Sequence, residues 1–169
     1  MNLELAATCW LVNQKRCMLV TQELSPRSNY CGEPDAYGVT AARYAIEVEV
    51  KRSMSDFYAD RRKRSRRNRE FFPQWFPKFF YYLVPNDIAK RASAALPEWA
   101  GLLSLGDYGA VAVVVESPKN KASQRLSIKE CVRLAQQMAI HSTRVESKMD
   151  GAITAWKNGC EPYFWNYQI

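Results

Sequence analysis

Tyr44-Ala45-Ile46-Glu47-Val48-Glu49-Val50-Lys51 alternates apolar and polar residues from Ile46 to its end. A period of two among β-branched residues predicts a half-buried strand. On such a strand Glu47, Glu49 and Lys51 point to one face, and Ile46, Val48 and Val50 to the other. Two carboxylates and an ammonium along one strand suit a hard divalent cation beside a cationic group. The same pattern also fits a solvated strand face with no chemistry. Asp35, in Glu33-Pro34-Asp35, stands twelve residues before Glu47. A hairpin between the two segments would bring Asp35 across from Glu49.

The neighbouring segments supply that hairpin and its supports. Asp35 to Thr40 reads as a strand, and the short link 41–43 suits an antiparallel turn into Tyr44 to Lys51. Before them, Cys17 to Gln22 reads as a strand, followed by a loop rich in Pro, Ser and Asn. Asn2 to Val12 places Leu3, Ala6, Ala7, Trp10 and Leu11 on one helical stripe. After Lys51, Ser53-x-x-Asp56 resembles a capping box and opens a helix from Met54 to about Arg69. Pro73 and Pro77 end that helix. Phe79 to Val84 has the aromatic bulk of a buried strand. Pro85-Asn86-Asp87 stops the strand and caps a helix from Ile88 to Leu96. Leu102 to Leu105 and Ala110 to Val115 flank Gly106-Asp107-Tyr108-Gly109, a hairpin signal. Ser127-x-x-Glu130 is a full capping box and starts a helix to about Ser147. The tail from Cys160 is rich in aromatics and suits packing back or contact with a partner.

The 169 residues fit one domain, 1–169, with a real core. The formal charge is +7, and residues 61–69 alone contain seven basic side chains and no acid. The excess is therefore one local block (Arg61, Arg62, Lys63, Arg64, Arg66, Arg67 and Arg69), which argues for a docking surface. Five cysteines without metal-ligand spacing, and an opening with Glu4 and no basic region, read as reduced thiols in a cytoplasmic protein. No stretch approaches the ~18 apolar residues of a membrane span. The single histidine, His141, disfavours histidine-based hydrolytic or metal chemistry.

Asp35, a strand's length, then Glu49-Val50-Lys51 resembles the core of the PD-(D/E)XK, or restriction-endonuclease-like, nuclease superfamily. The likeness extends through Gly32 to Ala36, Val48-Glu49-Val50-Lys51-Arg52-Ser53-x-x-Asp56-Phe57-x-Ala59-Asp60-Arg61, Phe80-Tyr81-Tyr82-Leu83-Val84-Pro85 and Gly101-Leu102-Leu103. In order and spacing these are similar to MmcB-like nucleases of DNA repair, over roughly residues 17 to 140. The resemblance implies an α/β chain of α+β type: an αβββαβ core whose mixed central sheet is flanked by helices, followed by a hairpin and a long helix. Residues 61–78 depart from the pattern as a basic, proline- and aromatic-punctuated insertion.

What the resemblance implies chemically is hydrolysis of DNA phosphodiester bonds, as an endonuclease or a processor of ends or branched DNA. Asp35, Glu49 and the carbonyl of Val50 would hold Mg²⁺ or Mn²⁺, and Lys51 would position water or stabilise the anion. Glu47, about 7 Å from Glu49 along the strand, would hold a second metal or face solvent. Glu23 is a further acid within reach. The basic block would track the phosphates of duplex or branched DNA, with Arg62, Arg66 and Arg69 on one helix face. Trp75 and Phe76 would stack on bases or belong to the core. Two other classes use the same features: a non-catalytic nucleic-acid-binding or recruiting protein, and an interaction or inhibitor module. The latter would meet a protein partner or a second copy through the basic helix or the tail.

Overall fold

Leu3–Asn13 forms helix α1, capped by the Asn2 side chain, which accepts from the N–H of Glu4 at 2.9 Å. Its buried residues are Leu3, Ala6, Ala7, Trp10 and Leu11, the stripe read from the sequence. The computed structural model describes residues 2–23, 32–60, 63–140 and 142. The expectations for residues 143–169, including the aromatic tail, and for His141 lie outside them. So do Arg61 and Arg62.

Six strands follow: β1 Leu19–Thr21, β2 Ala36–Val39, β3 Ala45–Val50, β4 Phe79–Pro85, β5 Gly101–Leu105 and β6 Val111–Val115. They form one sheet in sequence order. β1–β2 and β2–β3 are antiparallel, β3–β4 and β4–β5 are parallel, and β6 returns antiparallel to β5. The parallel steps need crossovers. Helices α2 (Met54–Asp60) and α3 (Arg64–Phe71) make the first, and α4 (Asn86–Ala94) the second. A last helix, α5, covers 128–140. The chain is thus a mixed α/β fold in which helices cover a mixed sheet.

The two sheet faces are filled differently. On one, α1 packs against Ile46, Val48, Val50, Tyr81, Leu83 and Leu103. Gly38 lets α1 lie close, because a Cβ there would meet Cys17 Sγ at 2.7 Å and Leu11 Cδ2 at 3.0 Å. On the other, Phe57 of α2 and Ile88, Ala89 and Ala92 of α4 pack on Phe80, Tyr82, Val84 and Leu102. Leu126, Cys131 and Leu134 cover Tyr37, Val39 and Ala45. Ser127 and Glu130 form the reciprocal box before α5: Glu130 Oε2 accepts from Ser127 N at 2.7 Å, and Ser127 Oγ accepts from Glu130 N at 3.2 Å.

Three expectations need correction. β3 is not half-buried; all six of its residues are buried. The helix expected from Met54 to Arg69 is two helices, with Lys63 in an extended conformation between them (φ −60°, ψ 141°). Asp60 and Arg66 explain the break. Six residues apart, they would stand about 120° from each other around a straight helix. The turn lets both reach the same point under the sheet. Finally, α4 starts at Asn86 without a side-chain cap, directly from the end of β4.

The 61–78 insertion is tied down where it is described. Asn120 Nδ2 donates to the carbonyls of Pro73 and Pro77 at 2.8 and 3.3 Å, and Ser123 Oγ donates to that of Phe76 at 2.8 Å. Among the described residues no helix is long and apolar enough to cross a membrane.

Candidate active site

The register of β2 on β3 pairs Ala36 with Val48, so Asp35 falls one step outward, opposite Glu49. Beyond the end of β2, Val50 N–H has no strand partner on that side. Asp35 Oδ2 accepts from it at 2.7 Å. This bond fixes the carboxyl beside Glu49 and Lys51. Burial, and then the charge of Glu49, push the Asp35 carboxyl up to about 6, against the Val50 bond and Lys51.

Glu47, Glu49 and Lys51 share a face with Phe80 and Tyr82 of β4, and all three are buried. Their charges are met from α2 and α3. Lys51 Nζ lies 2.8 Å from Glu49 Oε1 and 3.3 Å from Asp60 Oδ1. Lys63 Nζ lies 3.2 Å from Glu49 Oε1 and 2.8 Å from Asp60 Oδ1. Arg66 reaches three carboxylates: Nη1 to Glu47 Oε1 at 3.1 Å, Nη2 to Glu49 Oε2 at 2.9 Å, and Nε to Asp60 Oδ2 at 2.8 Å. Its guanidinium stands 4.6 Å from the centre of the Phe80 ring. The Nη2 contact with Glu49 is an ion pair without hydrogen-bond alignment. Tyr82 Oη donates to Asp60 Oδ2 at 2.9 Å.

Environment separates the carboxyls. Burial, and then Glu49, push Glu47 up to about 7 against the pull of Arg66. Burial also works to raise Asp60, but Arg66, Lys63 and Lys51 outweigh it and hold that carboxyl well below the usual range.

The expected residues are therefore distributed as follows. Asp35, Glu49 and Lys51 come together at the carboxyl end of β3. Val50 contributes its N–H to Asp35. Glu47 neither faces solvent nor stands open for a second metal, because it is enclosed and bonded to Arg66. Glu23 lies exposed past β1, its N–H donating to the carbonyl of Pro34 at 2.9 Å, at the same rim as Asp35. Arg66 points inward, not toward a phosphate, so Arg62, Arg66 and Arg69 do not form a common exposed face. Arg69 stands 4.7 Å from the Trp99 ring and 5.7 Å from that of Phe76. Trp75 stacks on Phe72 at 5.0 Å, and Phe76 is buried. The side chains of Arg64 and Arg67 lie outside the described residues.

The sequence marks Arg66 as a phosphate contact and Asp60 and Tyr82 only as parts of the family-like segments; the structure makes all three members of the acid cluster. Asp56 and Asp60 at i and i+4 on a short helix, just after an acidic strand, were the available signal for Asp60. For Arg66 there was none, because its partners are distant in sequence. Glu4 is a further acid nearby. It adds a small upward push on Asp35 and pairs with Arg52 at 2.7 and 3.0 Å.

Among the described residues, no group of three or more His, Cys, Asp or Glu side chains could hold a metal ion. Asp35 and Glu49 form a two-carboxylate set. That donor chemistry fits Mg²⁺, which is bound through one or two carboxylates and keeps several waters.

No family model and no curated protein matches this chain. Its fold is similar to that of SPO1766, a protein of unknown function from Silicibacter pomeroyi, at 20% identity and a TM-score of 0.58, with 88% of each chain covered. That likeness concerns the fold alone.

Proposed function

We propose that this protein is a metal-dependent nuclease hydrolysing DNA phosphodiester bonds, built on the restriction-endonuclease-like plan. The observation that carries the reading is the seating of Asp35 on Val50 N–H at 2.7 Å, directly beside Glu49 and Lys51. Asp35 and Glu49 would hold Mg²⁺ or Mn²⁺. Such an ion supplies Lewis acidity toward a phosphoryl oxygen and a more acidic bound water. Lys51, fixed by Glu49 and Asp60, orients the attacking water or meets the charge that develops on the phosphate. Asp60 is a positioning residue, held by Tyr82 and Arg66. Of the basic block, Arg61, Arg62, Lys63, Arg64 and Arg67 remain the candidates for DNA phosphates.

Asp35→Asn tests the site. The amide keeps an oxygen for Val50 N–H but removes the charge. Cleavage of plasmid and branched DNA in Mg²⁺ or Mn²⁺ should disappear while DNA binding persists. Cleavage at the wild-type rate by this variant would exclude the assignment.

A second reading is a nucleic-acid-binding or recruiting protein without catalysis. It is favoured by the cations that already stand on both oxygens of Glu49. The measurement that separates the two is metal binding, which only the nuclease requires.

A further inference from the structure

Glu49 carries three cations: Lys51 and Lys63 on Oε1, at 2.8 and 3.2 Å, and Arg66 on Oε2 at 2.9 Å. A divalent ion brought to the same carboxylate would face three positive neighbours in a poorly solvated site. One of them has to yield, and burial decides which. The side chains of Lys51 and Arg66 are 4% and 5% exposed, and that of Lys63 is 53%. Moving Lys51 or Arg66 would strip a buried charge of its partners without giving it water. Lys63 needs only to rotate its flexible stem toward solvent. Its backbone need not move: it sits in the turn between α2 and α3, with its N–H on the Asp60 carbonyl at 3.0 Å.

We propose that Lys63 is an exchangeable internal cation. It occupies Glu49 Oε1 and Asp60 Oδ1 in the metal-free protein and withdraws when a divalent ion binds Asp35 and Glu49. Its ammonium then meets a phosphate oxygen of the nucleic acid. Lys63 thereby offsets part of the charge of Glu49 and Asp60 without metal, and substrate contact is coupled to metal loading. This inference rests on the nuclease reading. It adds to that reading the means by which the metal-free site is closed and opened.

The test is Mn²⁺ affinity without nucleic acid, by calorimetry or electron paramagnetic resonance, for the wild type, Lys63→Met, Lys63→Arg and Asp35→Asn. Lys63→Met should bind Mn²⁺ roughly fivefold more tightly, the scale of one half-exposed ion pair. Lys63→Arg keeps the competing charge and should show no such gain. Asp35→Asn should lose the binding, which locates the site. In Mg²⁺, on a duplex with cleavage-resistant linkages, the log–log salt slope of affinity should be shallower for Lys63→Met by about one contact, ~0.9 on duplex. Unchanged or weaker Mn²⁺ binding by a folded Lys63→Met would overturn the exchange and leave the nuclease reading standing. An unchanged salt slope would overturn the transfer of Lys63 to phosphate. Absence of Mn²⁺ binding in every protein would overturn both the exchange and the nuclease reading.

Discussion

The two faces of β3 are both buried, and by opposite means. Ile46, Val48 and Val50 lie under α1 among apolar side chains. Glu47 and Glu49, 1% and 4% exposed, lie under α2 and α3 among cations. The apolar face is held by area removed from water, which is tolerant of geometry. The polar face holds only while each charge keeps its partner, because a buried unpaired ion costs several kcal/mol. One strand therefore carries a forgiving side and an exacting side. The exacting side is where the chemistry is proposed.

The sharpest way to break this comparison is Arg66→Met. It preserves much of the side chain's apolar packing but leaves Glu47, Glu49 and Asp60 without their shared guanidinium. Loss of one member of a buried charge network typically costs about 3–5 kcal/mol. Urea unfolding should show that loss. A change below about 1 kcal/mol would mean that pairing does not hold the polar face.

The sequence made the apolar side legible and half of the polar side. The α1 stripe, the β2–β3 hairpin and the Ser127 box are local patterns, set by periods and caps that a few residues carry. Asp35 opposite Glu49 followed from hairpin register, which is also local. Arg66 was not legible. The acid-free run 61–69 looks uncompensated along the chain, but Lys63 and Arg66 are compensated in space by Glu47, Glu49 and Asp60. A local net charge says nothing of partners supplied by a parallel crossover. The break between α2 and α3 was hidden for the same reason, since helix propensity favours continuing and only the convergence of Asp60 and Arg66 explains the turn.

Glu47→Gln probes the polar face more gently. Its carboxyl is pushed up to about 7 from an ordinary 4.5. The folded protein then binds this proton more tightly than the unfolded chain does. Stability from this group is full below about pH 4.5 and is lost as pH rises through about 7. Asp35, raised from 3.8 to about 6, acts in the same direction. Asp60, held low, acts oppositely: its contribution is present above its ordinary value of 3.8 and is lost as pH falls toward its depressed one. The glutamine imitates the protonated form of Glu47. Wild type and variant should unfold alike near pH 4, and by pH 8 the variant should be ahead by up to about 3 kcal/mol. Parallel stability curves from pH 4 to 8 would remove Glu47 from the titrating set.

Ile46→Val gives the smallest expected effect and tests the other face. Ile46 is 3% exposed and packs in the cluster under α1, on the strand that carries Glu47 but with its side chain on the opposite side. Removing one methylene there should cost about 0.5–1.5 kcal/mol, as lost transfer energy plus a small cavity. No titrating group is deleted, so the loss should stay constant from pH 4 to 8. Mn²⁺ affinity should not change either, because the substitution leaves the Asp35–Val50 bond and the charges on Glu49 in place. If the cost instead varied with pH, or metal binding weakened with it, the two faces would be mechanically coupled through the β3 backbone. The apolar side would then have to be counted among the elements that position the site.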